Sequence, residues 1–402
     1  MAQGGGGDIP VITRTEDLAA FCERARRAPF VTLDTEFLRE RTYFAQLCLV
    51  QMALPEEMAD EGPDAVVIDP IAGDLDLAPL WALLADENVI KVLHAARQDV
   101  EIFHNRGGVI PEPLFDTQVA AMVCGFGEQV GYETLVRRIA GARIDKTSRF
   151  TDWSRRPLSE EQLRYALADV THLRQIYRHL SSCLKESGRE EWVREEMAVL
   201  TDPATYEAVP GEMWRKIRTR TTTPTFLAVV RELARFREEY ARAKNIPRGR
   251  VFKDDALLEL ASVRPQSEAD LARTRLLQRE ARRGEIAKGI LAAIRRGIET
   301  PPEARPRLEK TQEQEQKNPA LADLLRVLLK ARAEEAGVAQ RLIATAADLD
   351  ALAAGRRDVP ALRGWRHEAF GKAALELIEG RIALAVDGRR VRAVPLEDGK
   401  KD

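Results

Sequence analysis

Short apolar runs alternate with amphipathic segments along the first 185 residues of the chain. The apolar runs occupy residues 30–33, 45–52, 65–68 and 90–93, and their composition predicts strands. Helical periodicity covers residues 16–27, 78–85, 98–105, 117–124 and 133–140. This alternation predicts an α/β layer structure. Because the first three runs are closely spaced, we expect them to pair antiparallel before a crossover helix leads to the fourth.

From about residue 186 onward the strand-like pattern almost disappears and helical periodicity dominates. Residues 201–210 have the composition of a connector, and residues 300–318 have that of a polar linker. We therefore expect an α/β domain over residues 8–200, a helical domain over 209–299 and a second helical domain over 319–395. The two helical segments share a weak pattern of arginine, alanine and apolar positions, which favours a duplicated module.

The composition predicts a protein of the reducing cytoplasm. No apolar run approaches the roughly 20 residues of a membrane span, so we expect no transmembrane helix and no membrane partner. The N-terminal MAQGGGGDIP lacks the basic start and apolar core of a secretory signal, and its glycines are typical of a disordered tail. The four cysteines are isolated, without the pairing of a zinc site, and are expected to be small packed side chains.

Charge is unevenly distributed along the chain, although the net charge is only −2. Residues 1–200 carry 22 Lys and Arg against 33 Asp and Glu, a net charge of −11, whereas residues 201–402 carry a net charge of +9. An acidic half joined to a basic helical half fits an enzyme that acts on nucleic acid. Basic helical surfaces are also common as ordinary solvated faces, so the charge asymmetry alone does not show that the helical half binds nucleic acid.

Four acidic residues and one tyrosine are the candidates for catalysis. Asp34 and Glu36 follow the first apolar run, and their spacing places both carboxylates on one face of a strand. Asp99 follows the fourth run, and Tyr165 and Asp169 lie four apart on one face of a helix. Carboxylates that converge repel one another unless cations neutralise them, and all-oxygen sites suit Mg²⁺ or Mn²⁺. The set therefore predicts a two-metal phosphodiester site.

Three of these acids, but not Asp169, also have a purely structural interpretation. Solvated acidic residues often follow strands and cap the next element, which would account for Asp34 and Glu36. Asp99 lies where a helix begins and could serve there as a capping anion, a role compatible with metal contact. Asp169 lies between Leu167 and Val170 inside an amphipathic helix, where a buried unpaired acid would be costly. A bound cation would remove that cost.

The order of these motifs resembles that of the DEDD 3′ to 5′ exonucleases in their tyrosine-containing subclass, and most closely the ribonuclease D family. The resemblance rests on DTEF at residues 34–37, on Asp99 after a strand that ends in His94, and on the YxxxD formed by Tyr165 and Asp169. It extends to VGYETLVRRIAG, to DKTSRFTDWSRRPLSEEQLRYALADV and to the helical segments, which are similar to tandem HRDC domains. It implies a ribonuclease H-like domain, with a mixed sheet and flanking helices, followed by two all-α helical bundles.

The resemblance also implies a role for each catalytic candidate. Asp34 would bridge two divalent ions, Glu36 and Asp169 would complete the shell of the first ion, and Asp99 would hold the second. Tyr165 would orient the attacking water, and hydrolysis would release a nucleoside 5′-monophosphate. The sister subclass carries a histidine five positions before the last Asp, where this chain has an arginine.

Six neighbours are candidates for contact with substrate: Phe37, Leu38, Gln46, Trp153, Arg155 and Arg156. The first two follow the acidic pair and are suited to wedge against the terminal base or ribose, with core packing as the alternative. The glutamine either reaches the site from the second strand or is an ordinary polar residue of that strand without a role in the site. The tryptophan and the two arginines are suited to backbone phosphates, unless the indole merely covers the edge of the core.

Three further residues lie near these motifs. His94 is expected to be a satisfied, semi-buried histidine rather than a ligand, and His172 is not expected to be a catalytic base. Arg97 lies in the segment Ala-Arg-Gln that precedes Asp99, where many relatives of this family carry a small pair. It would bring a guanidinium near the scissile region, with consequences for phosphate binding or for substrate preference.

The resemblance implies a divalent-metal-dependent 3′ exoribonuclease that trims structured RNA precursors, tRNA 3′ ends foremost. The helical modules would hold the RNA, or would serve instead as surfaces for protein partners, and a monomer is the simpler default. A DNA exonuclease of the same superfamily is one alternative, and a catalytically idle RNA-binding scaffold is another. The complete set of four acids and a tyrosine argues against the scaffold, which has no need of converging costly polar groups.

Overall fold

The computed structural model describes residues 9–145, 151–307 and 318–396. Buried apolar side chains in these ranges form three large clusters, one within residues 12–197, one within 214–294 and one within 325–374. Three successive packing units along the chain agree with the expected order of one α/β unit and two helical units. The N-terminal glycines and most of the predicted linker, residues 308–317, lie outside the described residues.

The first unit is built on a six-stranded mixed sheet. Its strands lie in the order β1-β4-β3-β2-β5-β6, with β2–β3 and β3–β4 antiparallel and β1–β4, β2–β5 and β5–β6 parallel. The bounds are β1 Val11–Ile12, β2 Phe30–Leu38, β3 Gln46–Ala53, β4 Ala65–Ile68, β5 Ile90–Leu93 and β6 Leu114–Asp116. The predicted α/β fold, the antiparallel pairing of the first three runs and the crossover to the fourth are confirmed.

Helices flank this sheet and continue into the two helical units. In the first unit they are α1 Thr15–Ala25, α2 Ala78–Leu84, α3 Arg97–Gly107, α4 Thr117–Val123, α5 Tyr132–Leu135, α6 Glu160–Ser187 and α7 Glu190–Thr201. The second unit contains α8 Pro224–Ala243, α9 Arg248–Val251, α10 Asp254–Val263, α11 Glu268–Leu271 and α12 Gly284–Glu299. The third contains α13 Pro319–Ala336, α14 Gln340–Ile343, α15 Ala346–Ala353, α16 Gly364–Arg366 and α17 Lys372–Ile378.

The long helix α6 covers one face of the sheet. It begins with a capping box. The hydroxyl of Ser159 accepts from the backbone N–H of Gln162, and the side-chain oxygen of Gln162 accepts from the backbone N–H of Ser159. The hydroxyl of Thr32 in β2 donates to the carbonyl of Val170 in α6 at 2.8 Å, which fixes the helix against the central strands. The amphipathic pattern of α6 therefore aims its sheet-facing residues at the middle of β2.

The second unit is held by close packing of α8 against α12. A Cβ at Gly297 would lie 2.5 Å from the backbone of Val229, so only glycine allows the two helices to approach this closely. The third unit ends in a hairpin of β7 Ile382–Asp387 and β8 Arg390–Pro395. The apolar and polar pattern of the sequence did not predict these two strands, so the expected all-α description of this unit is incomplete.

Both helical units contact the α/β unit. On one side, Trp192 of α7 stacks on Trp365 of α16, with ring centroids 4.6 Å apart and an angle of 12° between the planes. The indole N–H of Trp365 and the guanidinium of Arg366 both donate to Glu196, at 3.2 and 2.5 Å. Such an arrangement of aromatic stacking around a paired charge is typical of a specific interface.

On the other side, the loop of residues 39–45 between β2 and β3 reaches the second unit. The hydroxyl of Tyr43 donates to Glu238, which also accepts from Arg248, and the backbone N–H of Phe44 donates to Asn245 at 3.1 Å. This loop continues directly from the strand that carries Asp34 and Glu36. The second unit is therefore connected to the candidate catalytic strand through a few hydrogen bonds.

Candidate active site

Three of the candidate acids meet between the central strand and the covering helix. Asp34 and Glu36 extend from the same face of β2, and Asp169 extends from α6 toward them. One carboxylate oxygen from each lies within 4.8 Å of the others. The strand spacing of two and the placement of α6 by Thr32 together produce this convergence.

Asp99 and Tyr165 lie beside this cluster. Asp99 is in the first turn of α3 and is buried, and it accepts a hydrogen bond from the hydroxyl of Thr35, the residue between the two acids of β2. It does not cap the helix, because Ala96 occupies the N-cap position. The phenol of Tyr165 donates a hydrogen bond to Asp169 from the preceding turn of α6. All five candidates thus lie in one region of the molecule.

The acids are crowded enough to shift one another's ionisation. Burial raises the pKa of Asp99 and of Asp169 to about 7, although the phenol of Tyr165 opposes the shift at Asp169. Burial, and then repulsion from Asp169 and Asp99, raises the pKa of Glu36 to about 8. Burial followed by repulsion from the other three acids raises the pKa of Asp34 well above its usual range. The cluster is therefore costly to ionise in the absence of a cation.

The donor set fits hard divalent cations. Among the residues that the structure describes, the charged neighbours that shift the pKa values of these four acids are other carboxylates, and no ion pair joins the acids to a lysine, arginine or histidine. The three converging groups are all carboxylates, and Mg²⁺ and Mn²⁺ prefer such all-oxygen sites. A cation would supply the charge compensation that the protein's own side chains do not provide.

The cluster opens into a cavity of about 400 Å³. Besides Asp34, Glu36, Asp169 and Tyr165, its walls include His94, Gln118, Tyr132, Ile144 and Leu173. Gln118 and Tyr132 were not among the predicted site residues. Tyr132 lies within the VGYETLVRRIAG motif, so the sequence did contain a signal for it. The hydroxyl of Tyr132 donates to the carbonyl of Ala168 at 3.1 Å, so this ring supports the segment of α6 next to Asp169.

Three of the predicted substrate contacts lie at the end of β2 and the start of β3. Phe37 is half-buried against the main core, with the guanidinium of Arg39 5.8 Å from the centre of its ring. Leu38 packs on the small apolar cluster under α6, opposite Gln46, which is exposed at the first position of β3. None of the three lines the cavity, so contact with substrate stays a prediction for them.

Trp153 and Arg156 have structural contacts that the sequence did not reveal. Trp153 is buried under α6 and stacks on Tyr165, with centroids 6.1 Å apart, so it covers the core edge and supports the tyrosine. Arg156 donates twice to Asp69 at 2.6 Å and also to the carbonyls of Cys48 and Trp153. Because these contacts occupy its guanidinium, the geometry does not favour the expected contact with phosphate.

Arg155 differs from its neighbour, since its side chain is largely exposed and pairs only loosely with Asp152 at 3.5 Å. It remains a candidate for phosphate contact. Arg97 is exposed at the start of α3 and does not line the cavity, although the sequence placed it close to Asp99. The expected guanidinium beside the scissile region is therefore not found at the cavity wall.

The two histidines follow the expectations only in part. His94 lines the cavity with Nδ1 3.0 Å from the hydroxyl of Thr117, while its Nε2 is buried without a hydrogen-bond partner. Burial lowers the pKa of His94 and of His172, which favours neutral rings.

All four cysteines are free and are buried or half-buried, as predicted. Among the described residues, no helix has the length and apolar character needed to cross a bilayer.

Comparison with known proteins identifies relatives over nearly the whole chain. A 3′-5′ exonuclease family model matches residues 9–185, and an HRDC domain model matches residues 226–294. The ribonuclease D of Jannaschia sp. is 56% identical over 383 residues, covering 95% of this chain and 98% of that relative. The ribonuclease D of Gluconacetobacter diazotrophicus is 49% identical over 395 residues, covering 98% and 99%.

The fold is also similar to that of solved structures. Escherichia coli RNase D, described as an exoribonuclease involved in structured RNA processing, matches with a TM-score of 0.80 at 30% identity, over 93% of this chain and 99% of that one. The catalytic core of RRP6 from Trypanosoma brucei matches with a TM-score of 0.56 at 20% identity, over 74% and 81%, which indicates a shared fold. The match to the Escherichia coli structure therefore includes both the sheet and the helical units.

Proposed function

Because the chain belongs to the ribonuclease D family of 3′ to 5′ exoribonucleases, we propose that it trims the 3′ ends of structured RNAs, tRNA precursors foremost, at the cluster of Asp34, Glu36 and Asp169. The observation that supports this site is the convergence of the three carboxylates within 4.8 Å on the floor of an open cavity. Asp99 and Tyr165 belong to the same proposed site through their contacts with Thr35 and Asp169.

Two divalent cations, Mg²⁺ or Mn²⁺, would neutralise this cluster and supply charge stabilisation to the attacking and leaving oxygens of the phosphodiester. Asp34 is the residue proposed to contact both, Glu36 and Asp169 to contact the first, and Asp99 to contact the second. Among the described residues the charged neighbours of the four acids are other carboxylates, which supports this assignment. The raised pKa of Glu36 supports it as well, because a carboxyl that resists ionisation alone needs a partner charge near neutral pH.

The protein's own groups orient the reactants. The phenol of Tyr165 is held by Asp169 and by the indole of Trp153, so its hydroxyl is restrained at the edge of the cluster. We propose that this hydroxyl orients the water that attacks the terminal phosphorus. In-line attack breaks the bond between phosphorus and the 3′-oxygen of the preceding nucleotide, and a nucleoside 5′-monophosphate leaves.

The helical units are proposed to hold the body of the RNA. We assign residues 8–200 to the exonuclease domain and residues 209–299 and 319–395 to two HRDC-like domains. The net charge of +9 over residues 201–402 supports an interaction with phosphates. A depression of about 410 Å³ in the second unit is lined by Lys216, Arg248 and Lys253, close to the loop that follows β2.

Digestion of a 5′-labelled tRNA with a short 3′ extension tests the proposed activity. In Mg²⁺ or Mn²⁺ we expect a ladder that shortens from the 3′ end and releases nucleoside monophosphates. Asp34→Asn, which keeps the shape of the side chain, and addition of EDTA should each abolish the ladder. The exposed Asp60→Asn is the matched control and should retain activity.

The same assay separates the alternatives. Degradation of single-stranded DNA with intact RNA would replace the proposal by a DNA exonuclease. Failure to cut either substrate, together with tight binding of RNA, would indicate a scaffold without catalysis. If the tRNA extension is not shortened but other RNAs are degraded, the exoribonuclease activity is supported and the proposed tRNA substrate is wrong.

A further inference from the structure

A glutamine next to the carboxylate cluster lacks the partners that a buried amide requires. Gln51 lies in β3 with none of its surface exposed, and neither its side-chain oxygen nor its side-chain nitrogen has a hydrogen-bond partner. Burying an amide without hydrogen bonds is costly, and nearly all buried polar groups in proteins are paired. An unpaired amide at this depth therefore calls for a partner that acts in another state of the site.

The register of the sheet identifies the neighbour. Gln51 lies directly opposite Asp34 on β2 and opposite Val67 on β4. Residues directly opposite one another share a face of the sheet, with Cβ atoms about 4.5–5.5 Å apart, which is within reach of a glutamine and a carboxylate. Of these two cross-strand neighbours, only Asp34 can accept a hydrogen bond.

The nearest neighbours of Gln51 along β3 and opposite it on β4 are apolar. Leu49 precedes it by two residues on the same face, and Val67 and Ala166 belong to the same buried apolar cluster under α6. The backbone N–H of Thr35 is the hydrogen-bond donor that contacts the Asp34 carboxylate in this structure. The amide of Gln51 is thus a second, unused donor beside the acid proposed to contact both cations.

We propose that Gln51 is a positioning residue for Asp34: its Nε2 donates to the Asp34 carboxylate when cations occupy the site and restrains the side chain that would hold them. Carboxylates that ligate metals are commonly held by such outer hydrogen bonds. The inference rests on the proposed function of Asp34 as a metal ligand. It explains why a buried amide is present where an apolar residue would pack at lower cost.

A purely structural glutamine makes different predictions. If the amide only fills space, then Gln51→Met, which keeps its length, leaves the metal site unchanged. If it positions Asp34, the same substitution weakens cation binding, while the cation-free protein is as stable as before or more stable because an unpaired amide is gone. The two measurements are expected to change in opposite directions, which loss of folding cannot imitate.

Titration of the full chain with MnCl₂, monitored by isothermal calorimetry, tests the inference. We expect Gln51→Met to bind Mn²⁺ about 10- to 100-fold more weakly than the wild type. The melting temperature without Mn²⁺ should be equal to or above that of the wild type. Leu49→Met, which repacks the same face of β3 two residues away, is the matched control and should keep the wild-type affinity.

The outcomes separate this inference from the proposed function. Wild-type affinity in Gln51→Met, or an equal loss in Leu49→Met, overturns the positioning role. If Asp34→Asn binds Mn²⁺ as well as the wild type, the proposed metal site itself is wrong. A crystal structure of the wild type with Mn²⁺ provides a test without variants: a distance of about 2.7–3.2 Å between Gln51 Nε2 and the Asp34 carboxylate supports the inference, and a longer one overturns it.

Discussion

The phenol of Tyr165 donates to the carboxylate of Asp169 one helical turn away, while its ring stacks on the buried indole of Trp153. The hydroxyl is therefore restrained from two directions, by a hydrogen bond and by a ring contact. A tyrosine held in this way is suited to orient a small molecule such as water. The arrangement makes the hydroxyl, rather than the aromatic ring, the group to test.

Removal of that hydroxyl should affect turnover more than binding. We expect Tyr165→Phe to lower kcat by about 10²-fold, within the range for groups that orient or exchange protons in the transition state. KM for RNA and the affinity for Mn²⁺ should change little, because the ring still stacks on Trp153. Steady-state kinetics on a short RNA oligonucleotide measure kcat and KM separately. Tyr206→Phe, which removes a hydroxyl bonded to the Leu200 carbonyl, is the matched control.

The acidic cluster predicts an unusual dependence of stability on pH. Asp99 and Asp169 have a pKa of about 7 and Glu36 of about 8 in the folded state, against roughly 4 for unfolded carboxyls. Between these values the folded state binds more protons, so the stability of the metal-free protein should fall as pH rises from about 4 through 8. Thermal melts in EDTA across this range measure the trend. A cluster that ionises normally would show no such fall.

Addition of a divalent cation should reverse this trend. Protons and cations compete for the same carboxylates, so the affinity for Mn²⁺ should rise as pH rises through about 7 to 8. At a cation concentration of 100 times Kd the gain in unfolding free energy is about 2.7 kcal/mol. Melting curves at pH 6 and pH 8, each with and without Mn²⁺, give the comparison. A larger stabilisation at pH 6 would contradict the proposed ligand set.

Arg155 and Arg156 form a natural pair of variants, because neighbouring arginines have opposite environments. Arg156 joins Asp69, of which 5% of the side chain is exposed, whereas 84% of the side chain of Arg155 is exposed. We expect Arg156→Leu to lower the unfolding free energy by about 3 kcal/mol, because it leaves Asp69 buried and unpaired. Arg155→Leu should leave stability unchanged and weaken RNA binding. Chemical denaturation and a filter-binding assay distinguish the two effects.

These two arginines also illustrate which features of the fold and the site could be predicted from the sequence. The central strands were predictable because their apolar runs are continuous. The sequence also placed Asp34, Glu36 and Asp99 after such runs, and it placed Tyr165 and Asp169 on one face of a helix. The partner of Arg156 lies 87 residues earlier in the chain, and no local pattern reveals such a contact. The burial of Gln51 was equally hidden, since polar residues on a strand are ordinarily assigned to its exposed face.

Short or isolated elements were the other failures of prediction. Strands β1 and β6 contain two and three residues, too few for alternation to be visible, and they depend on pairing with β4 and β5. The hairpin of β7 and β8 carries exposed apolar residues such as Val386, so its pattern lacks a clear buried face. The contacts between units depend on single residues, among them Tyr43 and Trp365, whose sequence context carries no sign of a distant partner.

The depression in the second unit provides the last prediction, which concerns the grip on RNA. Lys216 and Lys253 line it beside Tyr43 and Arg248. The double variant Lys216→Glu, Lys253→Glu replaces two positive charges on this surface by two negative charges. We expect RNA affinity to fall and the slope of log K against log salt to decrease by roughly 1 to 2, since each lost phosphate contact contributes about 0.7 for single strands.

Lys185→Glu is the matched control for this double variant. Lys185 is exposed near the end of α6, 16 residues beyond Asp169, which corresponds to about 24 Å along the helix. Its reversal should leave the salt slope unchanged. Hydrolysis of a dinucleotide should be equal in all three proteins, because so short a substrate occupies the acidic cavity alone. If the double variant binds a full tRNA with the wild-type affinity and slope, the second unit does not hold RNA through this surface.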